Sequence, residues 1–369
     1  MKVLVIKIAA IGDFLMATPA LRALKLNNSV SSVTMLAGHS IAAAVQGNPH
    51  LDKIYYLDDT RIFKGSFWAK LAEVLKISRR LRREQFDLGF NFHRDWRFNI
   101  ILFLSGCKKR IGFASARKSW LLSEGIAIAG VKHHIFHYCA LLKGLGIFCL
   151  DFKMEFPLAE AVLAAAADKF LRPEKLTAYV VLAPGGAVNV KEEMDSRRWG
   201  TENYAALAGI LINNGRKVVL LGSGNDQKIA RSIKAAQPEV IDFCGQTSLA
   251  EAAALLKKSR LVVCNDSGLM HLAAAVEARV IAIFGPTHPD EKKPLAAGNI
   301  AVWKGEELAC SPCYHDGRFP ECEHRNCFRK ISPQEIFELL KAFTGIRIPP
   351  ATPLPPCPEG CLTIDDLSC

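Results

Sequence analysis

The chain has 369 residues, half of them hydrophobic and 22% charged, with a formal net charge of +11. That length and apolar content predict two domains of roughly 150–190 residues around a sizeable core, and no apolar run reaches the ~18 residues of a membrane span. The positive balance predicts an acidic partner, phosphorylated lipid or anionic membrane; without a recognition-helix or aromatic RNA-binding pattern, nucleic acid is not expected.

The chain opens MKVLVIKIAAIGDFLMATPALRALK. VLVIKI reads as a strand that turns through small residues into an apolar helix running to about Lys25. No n-region or cleavage site precedes that strand, so the cytoplasm is the expected compartment. A dinucleotide-binding loop would show GxGxxG here, whereas this turn has Gly12 alone, followed by Asp13. The single glycine is expected to permit a tight turn. SSVTMLA follows as a strand, then a small helix near 40–46, KIYYL as a strand and a long helix at about 67–83. FDLGFNF is a strand, WRFNIILFL a helix and RIGF a short strand. Basic residues cluster in this half: RRLRR at 79–83, KKR at 108–110, and Arg94 and Arg97 between them. They read equally as solvated faces or as an anion-binding surface.

Residues 151–177, with Pro157, an alanine-rich helix and Pro173, suit a connector. Beyond it, AYVVLAP, KVVLLGS, VIDF, RLVVCND and RVIAIFG are strands separated by helical segments. Strands alternating with helices mean parallel pairing through right-handed crossovers. The expected fold is therefore α/β, with two Rossmann-like doubly wound domains facing across a cleft: 1–165, 175–345, and a Pro- and Cys-containing tail at 346–369. Ligands in such sheets bind beyond the carboxyl ends of the strands. The absence of GxGxxG from both halves counts against a dinucleotide oxidoreductase.

Two loops at strand ends carry chemistry. In CNDSGLMHLAAA (264–275), Asp266 or Ser267 caps a helix whose first N–H groups and dipole suit a diphosphate. Gly268 permits close backbone approach, and His271 lies one turn on. In APGGAVNVKEEMDSRRW (183–199), Gly185 and Gly186 form a mobile loop ahead of Arg197 and Arg198, an arginine fork suited to phosphate oxygens. Arg198 reads equally as solvated, and Trp199 as a structural plug. By sequence alone Asp13 reads as a plain helix cap ahead of a base, an order that the resemblance below reverses.

Taken in order, I-x-x-x-G-D-x-x-x-x-x-P-A-L, P-G-x-(loop)-R-R-W and N-D-S-G-x-x-H-L-A-A-A followed by I-x-I-F-G-P-T resemble the ADP-heptose:lipopolysaccharide heptosyltransferases, glycosyltransferase family nine, over roughly residues 1–345. The resemblance implies the GT-B fold, with the acceptor on the first domain and the nucleotide sugar mainly on the second. It assigns Asp13 as catalytic base and Arg197 to the donor phosphates, and matches Asp266, Ser267, Gly268 and His271 to the donor loop. The family more often has Thr than Ser after that Asp. LLGSGNDQKIA (220–230), with Ser223 and Asp226, looks like the segment that touches the nucleotide sugar, alongside Gly185 and Gly186. The 186–196 loop is longer and more charged than the family's, which leaves Lys191, Glu192 and Glu193 without assigned roles. The implied reaction is an inverting transfer of heptose from ADP-heptose to the anionic lipopolysaccharide inner core. Arg94 and Arg97 would bind that acceptor, with peripheral contact at the inner membrane. No DxD-like pair sits at a strand end, so no divalent metal is expected in catalysis. Because the family's pattern keeps both Asp13 and Pro19, the helix is expected to begin at Asp13 and kink at Pro19, rather than begin at Thr18-Pro19.

Twelve cysteines remain to be placed. Cys107, Cys139, Cys149, Cys244 and Cys264 fall in apolar segments and read as small buried hydrophobes. Cys310, Cys313, Cys322 and Cys327, with His315 and His324 among them, could hold structural zinc or an iron–sulfur cluster, pair as disulfides, or stay free. Cys357, Cys361 and Cys369 lie in a Pro-rich end that reads as weakly ordered. Competing functions are another GT-B transferase, a nucleotide-sugar epimerase, or a non-catalytic nucleotide-sugar or metal-binding protein.

Overall fold

The computed structural model describes residues 1–114, 119–128, 130, 132–186, 194–313 and 322–345. Lys191, Glu192, Glu193, His315 and the 346–369 tail lie outside the described residues. The first half builds a parallel sheet from β1 (Lys2–Ile6), β2 (Ser32–Gly38), β3 (Lys53–Leu57), β4 (Leu88–Asn91), β5 (Lys109–Phe113) and β6 (Glu124–Ile126), in the order β3-β2-β1-β4-β5-β6. The second half repeats it with β7 (Tyr179–Ala183), β8 (Lys217–Leu220), β9 (Ile241–Asp242), β10 (Leu261–Asn265), β11 (Val280–Ile283) and β12 (Ile300–Val302), in the order β12-β11-β10-β7-β8-β9. Counted within its own half, each sheet has the Rossmann order, and the strand sequence reverses beside β1 and β7. Only β6 and β12 escape the sequence reading. At three residues each they are too short to show a period.

Burial follows the pleat. Val3 and Val5 of β1 face one way, and Leu4 and Ile6 the other, all fully buried. The Val3/Val5 side joins Val181 of β7 and Val262 of β10 in one apolar cluster, whereas Leu4 and Ile6 belong to a separate outer core. A single core therefore bridges the halves, and the helix Ile11–Leu26 packs there against the helix Gly268–Ala275. His133 ties the halves on another side, its Nε2 donating to the Lys293 carbonyl at 2.8 Å.

The helix begins at Ile11, two residues before Asp13, and runs through Pro19. Pro19 has no N–H for the Leu15 carbonyl four residues back. The Thr18 hydroxyl donates to that carbonyl instead, at 2.7 Å. Thr18 thus repairs the helix interior and is not its cap. A further correction concerns Cys139 and Cys149, which are joined in a disulfide with Cα atoms 5.9 Å apart. The chain turns back after the helix His134–Lys143, a return that composition alone does not signal. Cys107, Cys244 and Cys264 are buried thiols, as expected, and burial pushes Cys107 up to about 12.

Asn265, at the end of β10, fixes three segments at once. Its Nδ2 donates to the carbonyls of Pro184 (2.8 Å) and Gly185 (3.1 Å). Its Oδ1 accepts from the Trp199 N–H and the Tyr204 hydroxyl, both at 3.1 Å. Trp199 is buried against Tyr204 and donates its indole N–H to Ile331, which makes it the structural plug its position suggested. Asn265→Ala would strand four buried polar groups, each worth about 1–3 kcal/mol if left unpaired. The expected loss in urea unfolding is about 3 kcal/mol or more; a loss below about 1 kcal/mol would refute this bracing role.

Candidate active site

The carboxyl ends of β1 and β10 meet across one cavity of about 250 Å³. The first half contributes Gly12, Asp13 and Ser40 to its wall, and the second Arg197, Asp266, Ser267, Gly268, His271 and Lys292. Both helices that start here point their N-termini at it, and no side chain caps either one. Two positive dipole ends and first-turn N–H groups therefore converge on one space.

Asp13 stands in the first turn of its helix with its side chain about 34% exposed. The buried Lys7 ammonium donates to its Oδ2 at 2.9 Å. Burial alone would raise this carboxyl. The Lys7 charge, its hydrogen bond and the Lys292 charge outweigh burial and hold the group well below the usual carboxylate range. Asp13 is thus a carboxylate at neutral pH.

Gly12 has a helical backbone, so the tight-turn expectation is wrong. Its purpose is proximity, because a β-carbon there would lie 2.4 Å from His271 Cδ2 of the opposite half. His271 is buried, and burial outweighs Asp266 and Asp13 to push its pKa down to about 4. The ring that meets Gly12 is therefore neutral at pH 7, and its Nδ1 has no partner.

Asp266 is held from two sides. Thr287 donates to its Oδ2 at 2.8 Å, and Arg197 Nη2 lies 2.6 Å from both that oxygen and the backbone carbonyl. Burial would raise its pKa, but the charges of Arg197 and Lys292 keep it well below the carboxylate range. Asp266 Oδ1 and Arg197 Nε are buried without partners among the described residues, as His271 Nδ1 is. Three unsatisfied polar atoms beside one cavity are the mark of a site built for a polar ligand.

The expected arginine fork divides. Arg197 turns into the cavity, while Arg198 turns away, donating to the Gly186 carbonyl from Nε and Nη2 and pairing with Asp195. Arg198 is accordingly neither solvated nor part of the cavity wall. Ser223 and Asp226 also serve the glycine loop. They form a capping box, and Asp226 accepts the Gly186 N–H at 3.0 Å. Gly185 and Gly186 are required by crowding, since added β-carbons would lie 2.1 Å from Asp226 and 2.6 Å from Ser267. The two arginines expected at the acceptor also part. Arg94 reaches His137 Nδ1 at 3.2 Å, near the Asp13 wall, whereas Arg97 is paired with Asp95 on the outer surface.

Sequence reasoning missed Lys7, Ser40 and Lys292, and it quoted Thr287 as the end of I-x-I-F-G-P-T without giving it a role. Lys7 had a signal, because a lysine inside VLVIKIAAI needs a buried anion. Lys292 stands in a polar stretch and had none. Among the described residues, no three His, Cys, Asp or Glu side chains are arranged to hold a metal ion, so the zinc or iron–sulfur expectation at Cys310, Cys313, Cys322 and Cys327 has no support there.

Two Rossmann halves that line one cleft, each with a helix start at its wall, have the GT-B architecture. The family model Glycosyltransferase family 9 (heptosyltransferase) matches residues 74–322. The chain belongs to that family and is a glycosyltransferase. It is 29% identical over 319 residues to lipooligosaccharide heptosyltransferase 2 of Haemophilus influenzae, covering 83% of this chain and 90% of that one. It is 26% identical over 360 residues to lipopolysaccharide heptosyltransferase 2 of Escherichia coli, covering 93% and 98%. The solved structure of E. coli ADP-heptose lps heptosyltransferase II superposes with a TM-score of 0.74 at 23% identity, again over 93% and 98%.

Gly12→Ala is expected to displace the His271 edge and lower kcat/KM about 100-fold while circular dichroism stays native. A fully active variant would show that the close approach is dispensable. Lys7→Met should let the Asp13 carboxyl rise toward its ordinary value, moving the acid limb of the kcat/KM profile to higher pH. An unmoved limb would mean that the ion pair does not set the charge of Asp13.

Proposed function

We propose that the protein transfers a heptose from ADP-heptose to the inner core of lipopolysaccharide, with inversion and without a metal ion, Asp13 acting as general base. One observation carries this reading: a single cavity has Asp13 on one wall and the Asp266–Gly268 helix start, with Arg197, on the other. The donor's diphosphate fits the second wall, where the first-turn N–H groups, Arg197 and Lys292 stabilise the charge that grows on the leaving group. These cations perform the task that a divalent metal performs elsewhere. The acceptor hydroxyl then approaches from the Asp13 side, opposite the leaving group, which supports inversion by direct displacement.

Asp13 accepts the hydroxyl proton as the oxygen bonds to the anomeric carbon. A carboxylate this acidic is a weak base in the ground state. The hydroxyl, however, becomes strongly acidic as its oxygen gains positive character, so the transfer runs downhill late in the step. Arg94, beside His137 and near this wall, is the arginine placed to meet an anionic core sugar. We place the reaction at the cytoplasmic face of the inner membrane, where a lipid-linked acceptor resides. No helix among the described residues is long and apolar enough to cross a membrane, so contact there would be peripheral.

Asp13→Asn, tested with ADP-heptose and a truncated core acceptor, is expected to lower kcat by about 10²–10⁴-fold with native folding. Turnover close to the unmodified enzyme would sink the base assignment. Donor consumed without acceptor would instead favour an epimerase.

A further inference from the structure

The active-site cleft leaves one prominent surface feature unexplained. On the outer side of the first domain, the helix Phe67–Arg82 and the segment around Trp96–Ile101 enclose a groove of about 290 Å³. Phe63, Phe67, Leu71, Trp96 and Phe98 form most of its wall. Phe67, Leu71 and Val74 occur at positions i, i+4 and i+7, so one helix face supplies a continuous apolar side. At the mouth, Phe67 and Trp68 pack edge to face at 5.3 Å while remaining 70% and 74% exposed. Two large aromatic side chains left in water beside an apolar groove mark an interaction surface.

The surrounding charge selects the partner. Lys70 and Arg97 stand on the groove's rim, and exposed Lys64 precedes Phe67 by three residues. The rim's acid, Asp95, is engaged by Arg97. Aromatic residues at a mouth ringed by cations match the boundary between hydrocarbon and anionic headgroups, where tryptophan rings reside and lysines meet phosphate.

The groove also communicates with the cleft. Phe98 lies 4.5 Å from the His93 ring, and His93 Nε2 accepts the Ile8 N–H at 2.6 Å. Ile8 leads directly into the turn that carries Asp13. We infer that this face docks the enzyme on an anionic bilayer, with Phe67 and Trp68 inserted at headgroup depth and Lys64, Lys70 and Arg97 on lipid phosphates. The inference rests on the proposed glycolipid acceptor for its purpose only, since binding is measured with lipid alone.

The test is flotation of the full chain with phosphatidylglycerol/phosphatidylethanolamine vesicles, compared with phosphatidylcholine vesicles. Binding is expected on the anionic vesicles, weakening with salt. The double substitution Phe67→Ser/Trp68→Ser and the double substitution Lys64→Glu/Lys70→Glu should each lower partitioning by about 10-fold or more. Both variants should turn over a water-soluble truncated acceptor at the unmodified rate, which separates this result from any failure of the transferase assignment. Absence of binding to anionic vesicles, or equal binding by the Phe67→Ser/Trp68→Ser variant, would overturn the inference. So would a dimer in lipid-free solution that those two substitutions convert to monomer, because the face would then be a protein interface.

Discussion

The contact between Gly12 and the His271 ring is the constraint on which the rest of the site depends. A β-carbon on residue 12 would come within 2.4 Å of the ring, so only a glycine lets the two helix starts meet. Their meeting brings Asp13 from one half to the same space as Ser267 and Gly268 from the other. The apolar core continues directly behind this contact, through Leu15 and Met270, and fixes how close the halves come. Packing and chemistry are therefore set by the same pair of residues.

Electrostatics then decides what that space accepts. Two carboxylates, Asp13 and Asp266, face a cavity also reached by the charges of Lys7, Arg197 and Lys292 and by two helix N-termini. Each acid is matched by its own cation, Lys7 for Asp13 and Arg197 for Asp266. The charge of Lys292 and the two helix dipoles act on the same space with positive sign. His271 adds no charge, because burial keeps it neutral. On the proposed reading, such a site attracts a diphosphate yet retains an ionised acid a short way across, which a uniformly basic pocket could not do.

The fold was legible in the sequence because both halves repeat long, apolar strands, and β1, β7 and β10 leave little ambiguity of period. The three-residue strands carried no such signal. Within the site, Asp13, Asp266, Ser267, Gly268 and His271 were legible because each sits in a short string at a strand end. Residues acting from other segments were not. Lys292 reaches the cavity from a polar stretch without a pattern, Thr287 ends a string that gives no hint of its bond to Asp266, and the signal of Lys7 is only that a lysine stands in an apolar run. For polar residues near a motif, the sequence did not reveal the bonds they make within the fold. Arg198, Ser223 and Asp226 stand beside donor-loop glycines, but they spend their hydrogen bonds holding that loop. Sequence proximity identifies a neighbourhood, whereas the allocation of hydrogen bonds identifies the role. The Cys139–Cys149 pair shows the same limit, since a chain reversal over ten residues leaves no compositional trace.

The two halves use the crevice differently, the first through the helix after its first strand and the second through the helix after its fourth. Both sheets reverse their strand order beside the first strand of the half, and both open a helix at that crevice. In the second half, Ser267 and Gly268 begin the helix without a side-chain cap, and the backbone faces the cavity as a donor surface. In the first half, Asp13 occupies the first turn and places a negative group where a phosphate would otherwise bind. A phosphate loop needs backbone exposure through several glycines, and the turn after β1 has only Gly12, which is occupied by the His271 approach. On the proposed reading, the carboxylate disfavours a second phosphate on its wall and leaves that wall to a hydroxyl. The proposed orientation of the substrates across the cleft thus follows from which half kept its helix start bare and which one filled it.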